Sequence, residues 1–309
     1  MNVLLHYHAG RRLAAELAAL STDGISLSAT PERDEGALLA KLPETEALLH
    51  VLEPLTAERM DAAPRLKLIQ KLGVGVNTID LDAASERGIA VANMPGANAT
   101  AVAEMTLGLL LAVLRKIPTL DRATREGTGW SKPPDPDELG EVAGKTVGLV
   151  GYGDIAKRVG TIVEAMGARV IHHRRGPDAD SMPLDDLLAA ADIVSIHLPL
   201  THETRDLISA RRLQRMKPGA VLLNTGRGGI VDEEALATML QSGHLGGAGL
   251  DVFTSEPVAT DSPLLALDNV VVTPHVAWLT GDTLIRCVRQ GVDNCRRVAT
   301  GDQIANRIV

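Results

Sequence analysis

The chain has 309 residues, 45% hydrophobic and 23% charged, enough for roughly two ordinary globular domains. Its net charge of −8 and its 2% aromatic content argue against a phosphate-gripping basic face and a base-stacking platform, so nucleic acid is not an expected partner. No apolar run approaches the roughly eighteen residues of a membrane span, and the first residues lack a signal peptide's basic and apolar regions. Cys287 and Cys295 share one helical segment, which suits a reduced, cytoplasmic protein without disulfides.

In chain order, Asn2–His6 is predicted as a strand and Arg11–Leu20 as a helix. Apolar runs at 47–52 and 66–72 read as further strands, with helices at 56–62 and 82–87. The turn Pro95-Gly96 precedes a long Ala/Leu-rich helix at 98–114. Residues 122–138 carry Gly127, Gly129, Pro133, Pro134 and Pro136 and read as an irregular arm. From Lys145 onward six apolar runs alternate with helices, at 146–150, 169–171, 193–198, 220–224, 249–253 and 270–273. A helix at 284–299 closes the chain. Such alternation predicts an α/β fold with doubly wound parallel sheets.

The run 146–156 reads strand, tight turn, helix start, with the pattern G-x-G-x-x-A at Gly151, Gly153 and Ala156. Gly151 permits the turn, Gly153 lets a pyrophosphate approach the backbone, and Ala156 permits close helix–strand packing. The turn residues Tyr152, Asp154 and Ile155 offer helix-terminal N–H groups to that phosphate. About twenty residues on, an acid would mark NAD. Here the strand runs into His172-His173-Arg174-Arg175, and a guanidinium pairs with a 2′-phosphate. The expected cofactor is NADP(H), with NAD(H) usable.

Arg227, Glu256 and His275 each follow an apolar run, at strand ends where open sheets bind ligands. A guanidinium can fork onto a carboxylate and polarise the adjacent carbonyl. An imidazole can give a proton to that oxygen as hydride arrives at carbon, while a carboxylate orients the ring and steadies its charged form. The set suits reduction of a 2-keto acid. His6, His8, His172 and His173 show no third ligand, so no metal is expected.

The segments 144–153, 197–200, 224–228, 249–253 and 273–275, in this order, resemble the D-isomer-specific 2-hydroxyacid dehydrogenase family, and the match covers nearly the whole chain. The resemblance implies a Rossmann cofactor domain, 98–283, inserted into a flavodoxin-like substrate domain, 1–97 and 284–309. It assigns Arg227, Glu256 and His275 as catalytic. It places Asp251 and Thr100 at the nicotinamide end and extends cofactor contacts to His197, Leu198, Pro199 and Thr204. Thr225, Gly226 and Arg227 join them from the glycine-rich loop. Substrate contacts fall to the N–H groups of Val74 and Gly75, to Leu52, and to Arg227, His275 and Trp278.

Departures from relatives narrow the substrate. Glu256 replaces the Gln of formate-oxidising relatives, and Val74 replaces the Lys of phosphite-oxidising ones. Residues 50–52 fall where many relatives carry Arg-Ser. Residues 276–278 resemble reductases of glyoxylate or hydroxypyruvate, although Trp278 is equally readable as a packed aromatic. Trp130 and the arm around it resemble a homodimer arm. The competing reading is a dinucleotide-sensing binding protein of the corepressor type, which would keep the same residues without turnover.

Overall fold

The computed structural model describes residues 1–22, 24–176, 178 and 180–309. The chain forms two compact units, Met1–Asn98 with Leu279–Val309, and Ala99–Trp278.

The first unit holds five parallel strands, β1 (Asn2–His6), β2 (Ser26–Thr30), β3 (Ala47–His50), β4 (Leu68–Lys71) and β5 (Ala90–Ala92). Their order is β2-β1-β3-β4-β5. All four residues of β3 and of β4 are buried, as expected when helices cover both faces of a parallel sheet. β2 and β5 lie outside the apolar runs read from sequence. β2 is an edge strand, Ser-Leu-Ser-Ala-Thr, with one large apolar residue, and β5 has only three residues. The closing helix starts at Gly281, earlier than the apolar pattern suggests, because Thr280 caps it through Thr283 N.

The second unit holds β6 (Thr146–Val150), β7 (Arg169–His173), β8 (Ile193–Ile196), β9 (Val221–Asn224), β10 (Gly247–Leu250) and β11 (Val270–Val272). The order is β11-β10-β9-β8-β6-β7, all parallel. Side chains alternate along the strands. Val147, Leu149 and Leu223 face one core with the helices Ala99–Leu114 and Asp154–Ala165. Val194, Leu222 and Leu250 face the other, with Leu187, Leu213 and Leu236 from the opposite helices. The arm departs from its reading as irregular throughout: Ile117–Arg125 is helical, followed by a short 3₁₀ turn at Pro136–Glu138. Pro118 sits in its first turn, where a missing N–H costs nothing.

Candidate active site

In the second sheet the chain goes one way from β6 to β7 and the other way to β8, so the switch point lies between the carboxyl ends of β6 and β8. Gly151 stands there with φ +92°, and a Cβ on it would lie 2.6 Å from the His197 carbonyl oxygen. Only glycine serves on both counts. Gly153 begins the twelve-residue helix Asp154–Ala165 with no side-chain cap, and a Cβ on it would meet nothing within 4 Å. The helix N-terminus is thus open on the side where a pyrophosphate would dock, while fully buried Ala156 seats the helix on the sheet. The residues present fit a dinucleotide.

Tyr152 stacks on His172 with ring centroids 3.8 Å apart and planes 10° from parallel. Arg174 and Arg175 are exposed after β7. An acid does reach this strand end: Asp178 lies 3.2 Å from His172 Nε2 and 3.8 Å from Arg174 Nε. It follows the strand by five residues and returns by chain reversal, so spacing alone did not reveal it. The His172 bond and the Asp180 amide hold its carboxyl below the usual range.

His197 places its Nε2 2.9 Å from Ser195 Oγ, and burial pushes its pKa down to about 4, so the ring is neutral. Leu198 is half-buried and Pro199 exposed, as are Ile155 and Asp154 respectively. Thr204 is spent on its own turn, accepting from Thr201 N at 2.7 Å and donating to Pro199 O at 2.7 Å. Thr225 is likewise engaged, 2.9 Å from Thr106 Oγ1. Thr100 is exposed in the first turn of the helix Ala99–Leu114.

The catalytic candidates gather because of one glycine. A Cβ on Gly228 would fall 1.9 Å from the Phe253 carbonyl carbon, so the loop carrying Arg227 lies directly against the loop carrying Glu256. Asn224, missed as an individual residue by sequence reading, shapes the first loop. Its amide accepts from Gly226 N and donates to Arg227 O, both at 3.0 Å. The Phe253 amide donates to Glu256 Oε1 at 3.0 Å, and Glu256 Oε2 meets His275 Nδ1 at 2.6 Å. Burial alone would raise the Glu256 carboxyl; the bonds from His275 and Phe253, with the His275 and Arg227 charges, outweigh it and hold the pKa below normal. Burial lowers the Arg227 pKa, which the Glu256 charge partly offsets.

Asp251 is engaged within its own unit. It is 1% exposed, and its carboxylate accepts from Thr273 Oγ1 (2.5 Å), Val276 N (2.9 Å) and Ala277 N (2.9 Å). Its carbonyl accepts from His275 N at 2.7 Å. Asp251 therefore holds the loop that presents His275. Burial raises its carboxyl pKa despite these bonds. Trp278, at 7% exposure, is a buried ring.

In the first unit the loop after β4, the candidate anion cradle, is pinned through its own carbonyls. The Gly73 carbonyl accepts from Met94 N at 2.8 Å and the Val74 carbonyl from Asn93 Nδ2 at 2.9 Å. In planar trans peptides the N–H points opposite the carbonyl. The N–H groups of Val74 and Gly75 are therefore turned away from Met94 and Asn93, and Val74 is 46% exposed. Leu52, in the loop after β3, is 37% exposed.

Residues 107–277 match the model of the D-isomer specific 2-hydroxyacid dehydrogenase NAD-binding domain, and the chain belongs to that family. It is 42% identical over 287 residues to the D-3-phosphoglycerate dehydrogenase of Mycobacterium tuberculosis, an alignment covering 90% of this chain and 53% of the relative. The chain thus spans about half the length of that relative. It is also 42% identical over 284 residues to the glyoxylate reductase of Thermofilum pendens, covering 88% of this chain and 83% of the relative. Among solved structures it resembles the NADPH-dependent glyoxylate/hydroxypyruvate reductase of Sinorhizobium meliloti, with a TM-score of 0.86 and 30% identity over 100% of this chain and 97% of the other.

Proposed function

We propose that the chain is a reductase of small 2-keto acids of the glyoxylate or hydroxypyruvate type, preferring NADPH and yielding the D-2-hydroxy acid. The observation that carries this reading is the 2.6 Å His275–Glu256 pair beside the half-buried Arg227. With Nδ1 bonded to the carboxylate, Nε2 is the ring atom left to exchange a proton with the substrate oxygen. Glu256, kept ionised, compensates the charge on the ring. Arg227 polarises the keto group and grips its carboxylate. The reduced nicotinamide, when bound, supplies the hydride. The amides of Val74 and Gly75 are assigned to a carboxylate as well. Glyoxylate reductase and hydroxypyruvate reductase activities among the relatives support the substrate class.

The NADPH preference rests on Arg174 and Arg175, exposed at the end of β7, with the nearby Asp178 paired to His172 and Arg174. We also read the arm bearing Trp130 as a homodimer contact.

A matrix of glyoxylate, hydroxypyruvate, pyruvate and the 2-keto acid obtained by oxidising 3-phosphoglycerate at C2, against NADPH and NADH and followed at 340 nm, tests the whole reading. Oxidation of NADPH by glyoxylate or hydroxypyruvate is expected. Silence across the panel would reject an enzyme, favouring the sensor. Faster turnover with NADH would reject the role given to Arg174. A clear preference for the phosphorylated substrate would reject the small-substrate assignment.

A further inference from the structure

Register places four polar residues in one layer of the first sheet. Thr30, His6, His50 and Lys71 end β2, β1, β3 and β4. His6 is paired with Thr30 and His50 with Lys71, and the Leu5–Leu49 pairing, continued by one residue, sets His6 beside His50. Paired residues of a parallel ladder share a face. The four are 1%, 3%, 0% and 5% exposed. A plain core would fill this layer with apolar groups, since burying polar ones costs free energy. The layer lies at the carboxyl edge of a 2-1-3-4-5 sheet, whose switch point falls between β1 and β3. His6 Nε2 and Thr30 Oγ1 find no hydrogen-bond partner among the described residues, where most buried polar atoms have one.

Lys71 is the charged member. Its ammonium donates to the Val51 carbonyl and lies 3.5 Å from both His50 Nδ1 and Thr78 Oγ1. His50 Nε2 faces the Glu53 carbonyl at 2.6 Å and so carries the ring proton. Burial, then the Lys71 charge, lowers the His50 pKa to about 3, leaving a neutral ring whose Nδ1 lone pair faces the ammonium. The same two loops are tied by Leu55 N to Thr78 O at 2.8 Å. The lysine stem runs beneath the cradle: a Cβ on Gly73 would lie 3.8 Å from Lys71 Cε.

We propose that Lys71 is a positioning residue for anion binding, its buried ammonium joining the loops after β3 and β4 and biasing the Val74–Gly75 cradle toward a carboxylate. A buried charge is screened by salt less than an exposed one. The proposal rests on the functional reading above, which gives the cradle a substrate carboxylate.

The probe is oxalate, an unreactive mimic of a small 2-keto acid, titrated calorimetrically into wild type, K71M, K71R and T78V, with KM and kcat for glyoxylate measured in parallel. K71M is expected to weaken oxalate and raise KM by about tenfold, while kcat moves by less than about threefold. K71R should recover most of the affinity, T78V should lose an intermediate amount, and NADPH affinity should stay at the wild-type value in all three. Wild-type oxalate affinity in K71M, no oxalate binding by wild type, or equal losses of kcat and affinity in K71M and K71R would each overturn the proposal. Should K71M fail to fold, wild-type affinity in T78V overturns it instead. Failure of the functional reading looks different: oxalate then binds in a Lys71-dependent way, yet no 2-keto acid is reduced.

Discussion

His275 has φ +54°, a left-handed conformation that costs a bulky residue free energy and persists only where its surroundings demand it. The demand comes from Asp251, which binds the loop through its carbonyl and both carboxylate oxygens. Asn would fit the same volume, but its NH₂ would face an N–H or O–H donor. Asp251→Asn is therefore expected to cost ~1–3 kcal/mol of stability, measured by urea unfolding, because a buried donor loses its acceptor. It should also lower kcat by displacing His275, with NADPH affinity changing less than turnover does. Equal kcat in the variant would remove Asp251 from the positioning of the imidazole. The sequence singles out this carboxylate, but its hold on the loop of His275 is not legible there. Its partners lie 22 to 26 residues ahead, and only the meeting of β10 and β11 brings them within reach.

At the scale of elements, two glycines of one motif do different work. Gly151→Ala forces a Cβ to within 2.6 Å of a carbonyl oxygen at positive φ, so it should destabilise the fold and weaken NADPH together. Gly153→Ala meets nothing in the chain and its φ of −89° suits alanine. The expected result is an unchanged melting temperature with NADPH affinity reduced at least about tenfold, since the methyl occupies the phosphate's approach. Thermal melts beside fluorescence titration separate the two.

Strand ends in the first unit carry an electrostatic tie of their own. Glu46 accepts from Lys67 Nζ and from Asn2 N, both at 2.9 Å, and these bonds lower its pKa to about 2. A depressed carboxyl pKa stabilises the fold above the unfolded value and loses that contribution as pH falls through the folded one. Stability therefore drops between pH about 4.5 and about 2 on account of this group. Glu46→Gln should flatten that part of the stability–pH curve, measured by denaturant melts from pH 2.5 to 6, and leave activity at neutral pH unaltered.

For the whole molecule, both units are parallel sheets covered on both faces, and no helix among the described residues is long and apolar enough to cross a membrane. Trp130 is 89% exposed, an uncommon setting for so large an apolar ring. If the arm serves a second copy of the chain, light scattering at micromolar concentration will give the mass of a dimer, and Trp130→Asp will shift it toward monomer. A monomeric wild type would withdraw the arm from that role.

The order of strands and helices, the phosphate turn and the three catalytic candidates could be read from residues in a line, because period, glycine spacing and strand-end placement are local properties. β2 and β5 escaped because an edge strand needs no apolar run and a three-residue strand shows no period. Asp178 meets Arg174 through a reversal of the loop after β7, which residue spacing does not announce. The setting of Lys71 against His50 and Val51 and the hold of Asp251 on His275 depend on which strand ends adjoin. That adjacency is set by parallel pairing across crossovers, over separations that no local pattern encodes.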